Sequence, residues 1–367
     1  MPCGRFFEER NEVDMLVINY GREITKNTYD ALAASDISDY LDANFTVSLK
    51  PNLVVPGPAS NGAITHPEVT EGVILYLKDF GVKQIKIIES SWVGDSTKRA
   101  FKYCGYEEIG KKYDIPLIDL KSDSYTTLEH SGYDIKVCDE ALNTDFLINL
   151  PVLKAHCQTR LTCNLKNLKG CIPDSEKRRF HTLGIHKPVA ALNALIKTGY
   201  CVVDGICGDL TFEEGGNPVE SNRIIVGRDP VMIDSYCAEL IGYRPDAIEH
   251  LAYARKIGVG KYYSNDVKIV ELNAENKPLI DMRRSNTVDR YSKMIDENAA
   301  CSACYSSLVY ALHRLGGRAN ISGKISIGQG FKGKTGKGLG IGVCTQGFSN
   351  CIMGCPPKAT EIVEALR

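Results

Sequence analysis

Five cysteines in the C-terminal part of the chain have the types and spacing to bind a metal. Cys301 and Cys304 form a CxxC pair, and this three-residue spacing puts both sulfurs on one side of a first helical turn. Three more thiols follow at Cys344, Cys351 and Cys355. Cysteine thiolates grouped in this way bind zinc or an iron–sulfur cluster. We therefore predict a metal site in this segment.

The residues around these cysteines favour an iron–sulfur cluster over zinc. Residues 298–360 contain seven Lys and Arg but no Asp or Glu, and nearby cations stabilise the negative charge of a four-thiolate cluster. A cysteine followed by proline, as at Cys355-Pro356, is typical of iron–sulfur proteins, whereas structural zinc sites usually combine two CxxC pairs. We predict a 4Fe-4S cluster on Cys301, Cys304, Cys344 and Cys355, with Cys351 as the substitute ligand and zinc as the alternative metal.

A second group of polar residues follows the predicted strands earlier in the chain. Lysines and histidines at such positions, close to helix N-termini, favour an anionic ligand such as a carboxylate or a phosphate. Histidine also titrates near neutral pH and is suited to acid–base chemistry. The predicted substrate-binding residues are Lys50, Asn52, His66, Lys166 and Asn167, and the predicted catalytic residues are Lys154, His156 and His181.

Strands that alternate with helices must position these residues. Apolar runs such as those at 145–150 and 200–203 predict buried strands, and residues 67–80 have the apolar periodicity of a helix. The alternation predicts an α/β fold with a mostly parallel sheet and helices on both faces, in which ligands bind beyond the carboxyl ends of the strands. We predict an α/β domain over residues 1–282 and a small cysteine-rich iron–sulfur domain over residues 283–367.

Three local signals give more specific expectations. Pro51 lacks the N–H that a central strand uses, so the chain is expected to turn there. Thr65 and Glu68 have the spacing of a capping box at the start of a helix. One helix is expected over residues 96–113.

A match to a nucleotide-binding motif lies within the C-terminal segment. Residues 328–335 satisfy GxxxxGK[ST], the pattern of a P-loop, which needs a helix directly after it. The glycine-rich residues 336–342 are unsuited to starting a helix. We therefore reject nucleotide binding.

Composition and charge exclude several classes of protein. A net charge of -1 gives no field that would attract nucleic acid or an anionic membrane. No apolar run approaches the about 20 residues of a membrane span, and the first ten residues lack the apolar core of a signal peptide. We expect a cytoplasmic protein with reduced thiols. Nine further cysteines are expected to be ordinary buried thiols: Cys3, Cys104, Cys138, Cys157, Cys163, Cys171, Cys201, Cys207 and Cys237.

A series of short blocks resembles one known family. The blocks are KPN at 50–52, AITHPEV at 63–69, IKIIES at 85–90, DFLINLPVLKAH at 145–156, LTCNLKNLKG at 161–170, FH at 180–181, VVDG at 202–205 and VGRDPVMID at 226–234. In this order they resemble the proteins known as domain of unknown function 362, over roughly residues 45–245. The C-terminal cysteines are similar to that family's pattern as well, with Cys351 as an additional thiol. The resemblance implies an iron–sulfur protein and implies no particular reaction.

Three functional hypotheses follow from these patterns. The first is a 4Fe-4S protein that acts in electron transfer or as an oxidoreductase on a small anionic substrate. The second is a non-redox lyase or isomerase that uses Lys154, His156 or His181, in which the cluster is structural or a Lewis acid. The third is an electron-transfer scaffold with no substrate of its own, which docks an acidic redox partner protein.

Overall fold

The structure is a computed structural model, and it describes residues 14–211, 216–280, 282, 287–316, 318, 321 and 323–367. Cys3 and residue 283, with which the predicted C-terminal domain begins, lie outside the described residues.

The strands of the described residues, in chain order, are β1 (Met15–Tyr20), β2 (Thr46–Pro51), β3 (Gln84–Glu89), β4 (Leu117–Asp119), β5 (Tyr125–His130), β6 (Tyr133–Cys138), β7 (Phe146–Leu150), β8 (Lys154–His156), β9 (Arg160–Thr162), β10 (Tyr200–Asp209), β11 (Pro218–Gly227), β12 (Lys268–Leu272), β13 (Ile295–Glu297), β14 (Ile325–Ile327), β15 (Gly336–Ile341) and β16 (Phe348–Ile352).

The helices, again in chain order, are α1 (Ile24–Ala33), α2 (Pro67–Phe80), α3 (Thr97–Tyr103), α4 (Tyr106–Tyr113), α5 (Asp139–Leu142), α6 (Asn164–Asn167), α7 (Asp174–Thr182), α8 (His186–Leu195), α9 (Pro230–Leu240), α10 (Glu249–Lys256), α11 (Thr287–Ser292), α12 (Ser302–Leu315) and α13 (Ala359–Ala365).

The main sheet has eight strands in the order β12-β1-β11-β10-β7-β2-β3-β4. β11 is antiparallel to both of its neighbours, and the other adjacent pairs are parallel. This arrangement confirms the predicted α/β fold with a mostly parallel sheet. Because β7, β2 and β3 run in the same direction, their carboxyl ends lie together at one edge.

Helices cover both faces of the main sheet. Leu16 and Ile18 of β1 pack into one hydrophobic core with residues of α7–α10, and Val17 packs into a second core with residues of α1–α4. Fully burying one such aliphatic side chain is worth about 1.5–3 kcal/mol. Burial on both faces therefore explains why these strands are continuous apolar runs rather than alternating ones.

The C-terminal residues form a separate small sheet with its own core. β13, β14, β15 and β16 pair in that order, and all are parallel. Leu308 and Leu312 of α12 pack with Ile362 of α13 against this sheet in a third hydrophobic core. The small sheet meets the main unit through Gln158, whose Nε2 donates to Glu297 Oε1 at 2.8 Å and to the carbonyl of Ala300 at 3.0 Å.

The structure agrees with one local expectation and corrects two. β2 ends at Pro51, which is its last residue and lies opposite Leu150, where the missing N–H is tolerated. Thr65 does not cap α2, because its hydroxyl donates to the carbonyl of Leu150 and His66 occupies the N-cap position. The single helix expected over 96–113 is two helices, and Gly105 separates them in the left-handed conformation, with φ 80°.

The glycine-rich segment forms a strand, and not the helix of a P-loop. β15 begins at Gly336, directly after the motif. A Cβ at Gly336 would lie 2.5 Å from the ring of Phe348, and one at Gly340 would lie 2.5 Å from Thr345. These glycines therefore allow close packing within the small sheet, in agreement with the rejection of nucleotide binding.

Candidate functional site

One cavity of about 480 Å³ lies between the main sheet and the small C-terminal sheet. Its main-sheet wall comes from the carboxyl ends of β2 and β3 and from α6 and α7, and its other wall comes from α12 and the loops after β14, β15 and β16. Of the predicted site residues, nine line this cavity: Lys50, Asn52, Lys166, Asn167, His181, Cys301, Cys304, Cys344 and Cys355.

A buried ion pair forms part of the cavity wall at the end of β2. Lys50 Nζ lies 3.0 Å from Glu89 Oε2 and also donates to the carbonyl of Pro51 at 2.7 Å and to Asn167 Oδ1 at 3.4 Å. These three acceptors use the three donors of an ammonium group. Glu89 in turn accepts from the backbone N–H groups of Leu53 and Ser90. All three N–H donors of Lys50 are therefore used within the protein, and the residue helps to set the shape and the electrostatic potential of the cavity.

Asn52 brings an open acceptor to the same wall. Its amide oxygen is buried and has no hydrogen-bond partner among the described residues. Asn52 as a whole is 7% exposed and lines the cavity. Since buried polar atoms are normally hydrogen-bonded, an acceptor left open at a cavity wall is suited to a donor on a ligand or a bound water.

The charged side chains of the lining are predominantly cationic. Glu89 is the one carboxylate among the lining residues, and it is paired with Lys50. The cations of the lining are Lys50, Lys166, Lys169, Lys177, Arg178 and Lys332. Such a cavity favours an anionic ligand.

Burial changes the titration of Lys177, another cation of the lining. Burial lowers the pKa of its ammonium group to about 8, although Asp174 and Glu89 act in the opposite direction. Its Nζ donates to the carbonyls of Ser90 and Ser91. It therefore holds the loop after β3 against α7.

Apolar side chains also line the cavity, on both of its walls. They come from the loops after β2 and β3 and from the C-terminal segment, and they are Val54, Val55, Trp92, Val93, Val343 and Pro356. A ligand of this cavity therefore meets both cationic and apolar surface.

Four C-terminal cysteines line the opposite wall. Cys301 caps α12, Cys304 lies in its first turn, Cys344 follows β15, and Cys355 follows β16. Burial raises the pKa of Cys301, and the charges of Cys344 and Cys355 raise it further. Burial also raises the pKa of Cys304 to about 12, with contributions from the other three thiols. These four thiols are thus close enough to influence one another.

Two lysines act on these thiols in the opposite direction. Lys332 lowers the pKa of Cys301 and of Cys344, and Lys169 lowers that of Cys301, although burial outweighs both. Gln329 Nε2 lies 3.5 Å from Cys301 Sγ. The surroundings therefore include groups that stabilise negative sulfur.

Cys351 lies apart from this group. Its Sγ is 3.5 Å from the carbonyl oxygen of Gly342 and 3.5 Å from Thr345 Oγ1, and it is not among the residues that line the cavity. Among the described residues, no three His, Cys, Asp or Glu side chains converge as ligands of one metal ion.

Besides Cys351, three of the predicted site residues do not reach the cavity. Lys154 is fully buried and donates to the carbonyl of Ala63 at 2.7 Å. His156 Nδ1 accepts from the backbone N–H groups of Gln158 and Thr159. His66 Nδ1 lies 2.8 Å from Asp204 Oδ2. Their catalytic and substrate-binding roles stay predictions.

Four cations of the lining are not among the predicted site residues: Lys169, Lys332 and two residues of α7, a helix that the sequence pattern did not indicate. Lys177 and Arg178 belong to this helix, as does His181, which was predicted. The spacing of Lys177 and His181, at i and i+4, was the available signal for a helix that turns both toward one side. The low apolar content of Asp174–Thr182 concealed that helix.

Comparisons with known proteins identify a family but no activity. The family model for "Domain of unknown function (DUF362)" matches residues 47–239, a range that ends before the C-terminal cysteines. A curated relative is "Thylakoid-associated protein sll1697" of Synechocystis sp., which is 26% identical over 220 residues, 58% of this chain and 68% of the relative.

Two solved structures show a distant similarity. The lactate racemase apoprotein from Thermoanaerobacterium thermosaccharolyticum has a TM-score of 0.37 and 12% identity, and 65% of this chain and 56% of that chain are covered. A structural-genomics protein from Thermotoga maritima has a TM-score of 0.38 and 13% identity, with 65% and 60% covered. This chain spans less than two thirds of the length of either protein.

Within the described residues, no helix is long and apolar enough to cross a membrane.

Proposed function

The chain, matched over residues 47–239 of its 367, belongs to the family described as domain of unknown function (DUF362), and we propose that it exchanges electrons between a 4Fe-4S cluster and a small anion in its cavity. One observation carries this proposal. Four thiols of the C-terminal segment and six cations, five of them from the main unit, line the same cavity of about 480 Å³. An electron carrier and an anionic acceptor would therefore lie side by side.

The four cavity thiols fit the chemistry of a cluster. Cys301, Cys304, Cys344 and Cys355 would be its ligands. Lys169 and Lys332 would offset part of the negative charge of a four-thiolate cluster, as their effect on the thiol pKa values indicates. When bound, a 4Fe-4S cluster supplies or accepts single electrons.

Zinc and a cluster require different spacings of the thiols. Four sulfurs at about 2.3 Å from one Zn²⁺ would stand only about 3.8 Å from each other. A 4Fe-4S cluster binds each thiolate through a different iron, so its ligands are farther apart. Among the described residues, no three side chains of ligand type converge on a single ion, which favours the cluster.

The main-sheet wall would bind and orient the anion. Lys166, Lys169 and Arg178 supply positive charge, and the open amide oxygen of Asn52 accepts a hydrogen bond from a hydroxyl or amide of the ligand. Val54 and Trp92 would exclude water from the rest of the ligand. This combination favours a small carboxylate with an apolar body.

The non-redox alternative has less support from the geometry. It relied on Lys154, His156 and His181, and only His181 lines the cavity. The scaffold alternative does not account for a cavity that contains an open buried acceptor at Asn52.

Anaerobic reconstitution with ferrous iron and sulfide tests the proposal. We expect about four iron and four sulfide per chain, and an EPR signal after reduction with dithionite. Addition of benzoate should change the EPR line shape, because the anion would bind next to the cluster. Protein that takes up no iron and sulfide refutes the cluster, and a cluster that cannot be reduced reversibly refutes electron transfer.

A further inference from the structure

A cysteine, a histidine and an aspartate meet in the main unit, away from the cavity. His66 Nε2 lies 3.8 Å from Cys207 Sγ, and His66 Nδ1 lies 2.8 Å from Asp204 Oδ2. None of the three lines the cavity of the proposed redox site. A thiol next to an imidazole that a carboxylate orients is the arrangement that activates a nucleophilic cysteine.

Backbone hydrogen bonds hold the carboxylate of Asp204 in position beside the His66 ring. Asp204 Oδ2 also accepts from the backbone N–H of His66 at 2.7 Å, and Asp204 Oδ1 accepts from that of Ile206 at 3.0 Å. These bonds fix the carboxylate and leave its Oδ2 directed at the ring. The Nδ1–H tautomer is therefore favoured, and Nε2 faces the sulfur.

An irregularity in β10 brings Asp204 and Cys207 to the same side. Residues three apart on a regular strand point to opposite faces. The ladder with β11 shifts register between Gly205 and Cys207. The core contacts show the same change of face. Val203 and Leu210 pack in one core, although their odd spacing would direct them to opposite faces of a regular strand, and Val202 and Ile206 pack in the other core. Such irregularities often re-aim a side chain near a functional site.

The charges around His66 favour a protonated ring. Burial lowers the pKa of His66, but the charge of Asp204 and the hydrogen bonds to Asp204 and Cys207 outweigh it and raise this pKa to about 10. Two further titratable groups contact the segment before His66: Tyr106 donates to the carbonyl of Thr65, and Lys154 donates to that of Ala63.

We propose that Cys207 is a nucleophilic thiol that reacts with small neutral electrophiles, with the imidazolium of His66 stabilising its thiolate and Asp204 as the positioning residue. The thiol releases its proton to solvent, His66 Nε2–H stabilises the resulting thiolate, and the sulfur forms a bond to the electrophilic carbon. The leaving group departs with its bonding electron pair. With iodoacetamide the products are a carboxamidomethyl thioether and iodide. A small neutral reagent suits the site because Cys207 is only 4% exposed.

Cys104 provides a matched control within the same molecule. It is also 4% exposed, and its thiol donates to the carbonyl of Val55 at 3.7 Å, as that of Cys207 donates to the carbonyl of Ala59 at 3.4 Å. The described contacts of its sulfur include no imidazole, and burial raises its pKa to about 11. A difference in reactivity between the two thiols therefore reports the effect of the histidine.

Time-resolved labelling of the folded, full-length chain with iodoacetamide tests this proposal. We expect peptide mass spectrometry at neutral pH to show labelling of Cys207 at least about ten-fold faster than that of Cys104. Equal rates for the two thiols in the wild-type chain overturn the proposal, whether or not any variant folds.

Two variants separate activation from exposure. In His66→Gln the rate at Cys207 should fall to that of Cys104, and its pH profile should move to higher pH and resemble that of Cys104, whose pKa burial raises to about 11. Asp204→Asn should give an intermediate rate and the same shift in profile. An unchanged pH profile in both variants, with circular dichroism confirming that they are folded, also contradicts the proposed role of His66.

Discussion

Lys50 and Glu89 form an ion pair that is withdrawn almost completely from water, with side chains 1% and 3% exposed. The two residues lie at the carboxyl ends of adjacent parallel strands, so the pair joins β2 to β3 at the edge where the cavity begins. Its charges are compensated by each other and by the surrounding hydrogen bonds, which is the condition for burying them.

Breaking this pair should destabilise the protein strongly. We expect Glu89→Gln to lower the free energy of unfolding by about 3–5 kcal/mol, because it leaves the ammonium of Lys50 buried and uncompensated. The control is Glu220→Gln, since Glu220 pairs with Arg22 in full contact with solvent and should contribute little. Urea unfolding of both variants measures the difference, and equal effects would contradict the expected importance of burial.

Gly170 should not tolerate even a methyl group. A Cβ at this position would lie 2.2 Å from Glu89 Oε1 and 2.5 Å from Lys50 Cε. Gly170→Ala must therefore displace the ion pair, and we expect a loss of about 1–3 kcal/mol in unfolding free energy. Gly57→Ala is the control, because its Cβ would meet nothing closer than 3.9 Å. A neutral Gly170→Ala would mean that this wall of the cavity can move.

The choice among the five C-terminal cysteines can be tested directly. After anaerobic reconstitution, Cys344→Ser should lose most of the bound iron and sulfide, whereas Cys351→Ser should retain both. The reason is that Cys344 lines the cavity with the other three thiols, and the sulfur of Cys351 lies against Gly342 and Thr345. The reverse result would make Cys351 the fourth ligand.

A negative charge at position 52 should weaken the binding of anions. Asn52→Asp places a carboxylate next to the cationic wall, and we expect at least about a ten-fold loss of benzoate affinity, from the like charge. Asn265→Asp adds the same charge at an exposed position outside the cavity lining and should leave affinity unchanged. Isothermal titration calorimetry measures both. Equal losses would indicate a general effect of net charge.

His66 should make stability depend on pH. Its pKa in the folded chain, raised to about 10 from 6.5, means that the folded state binds this proton more tightly than the unfolded state. The stabilisation is therefore complete below about pH 6.5 and is lost as pH rises toward about 10, at about 1.4 kcal/mol for each unit between the two pKa values. The difference in unfolding free energy between wild type and His66→Gln should shrink over this range. A constant difference would contradict it.

Local spacing allowed the cavity thiols to be predicted from sequence. The set of main-unit residues that forms the facing wall could not be predicted in this way. CxxC and the cysteine before Pro356 are short-range signals, and the structure brings these four thiols to one wall. Lys154 and His156 also follow a strand, but the short strand that contains them turns them into the protein interior. Sequence position alone does not state which way such a side chain points.

Contacts over long sequence separation were the least predictable. His66 and Cys207 are 141 positions apart in the chain. Their contact depends on a register shift in β10 that no residue pattern predicts. The fold class was predictable for the opposite reason, because the apolar runs of the central strands repeat many times along the chain.

The two walls of the cavity belong to two units with separate hydrophobic cores, the main unit with its two cores and the C-terminal sheet with its own. Whatever fills it touches both, so occupancy and the docking of the two units are thermodynamically linked. The free energy by which docking favours the ligand must equal that by which the ligand favours docking. An occupied cavity therefore stabilises the docked arrangement of the two units. The ligand-bound protein should resist proteolysis between residues 282 and 301 better than the empty protein.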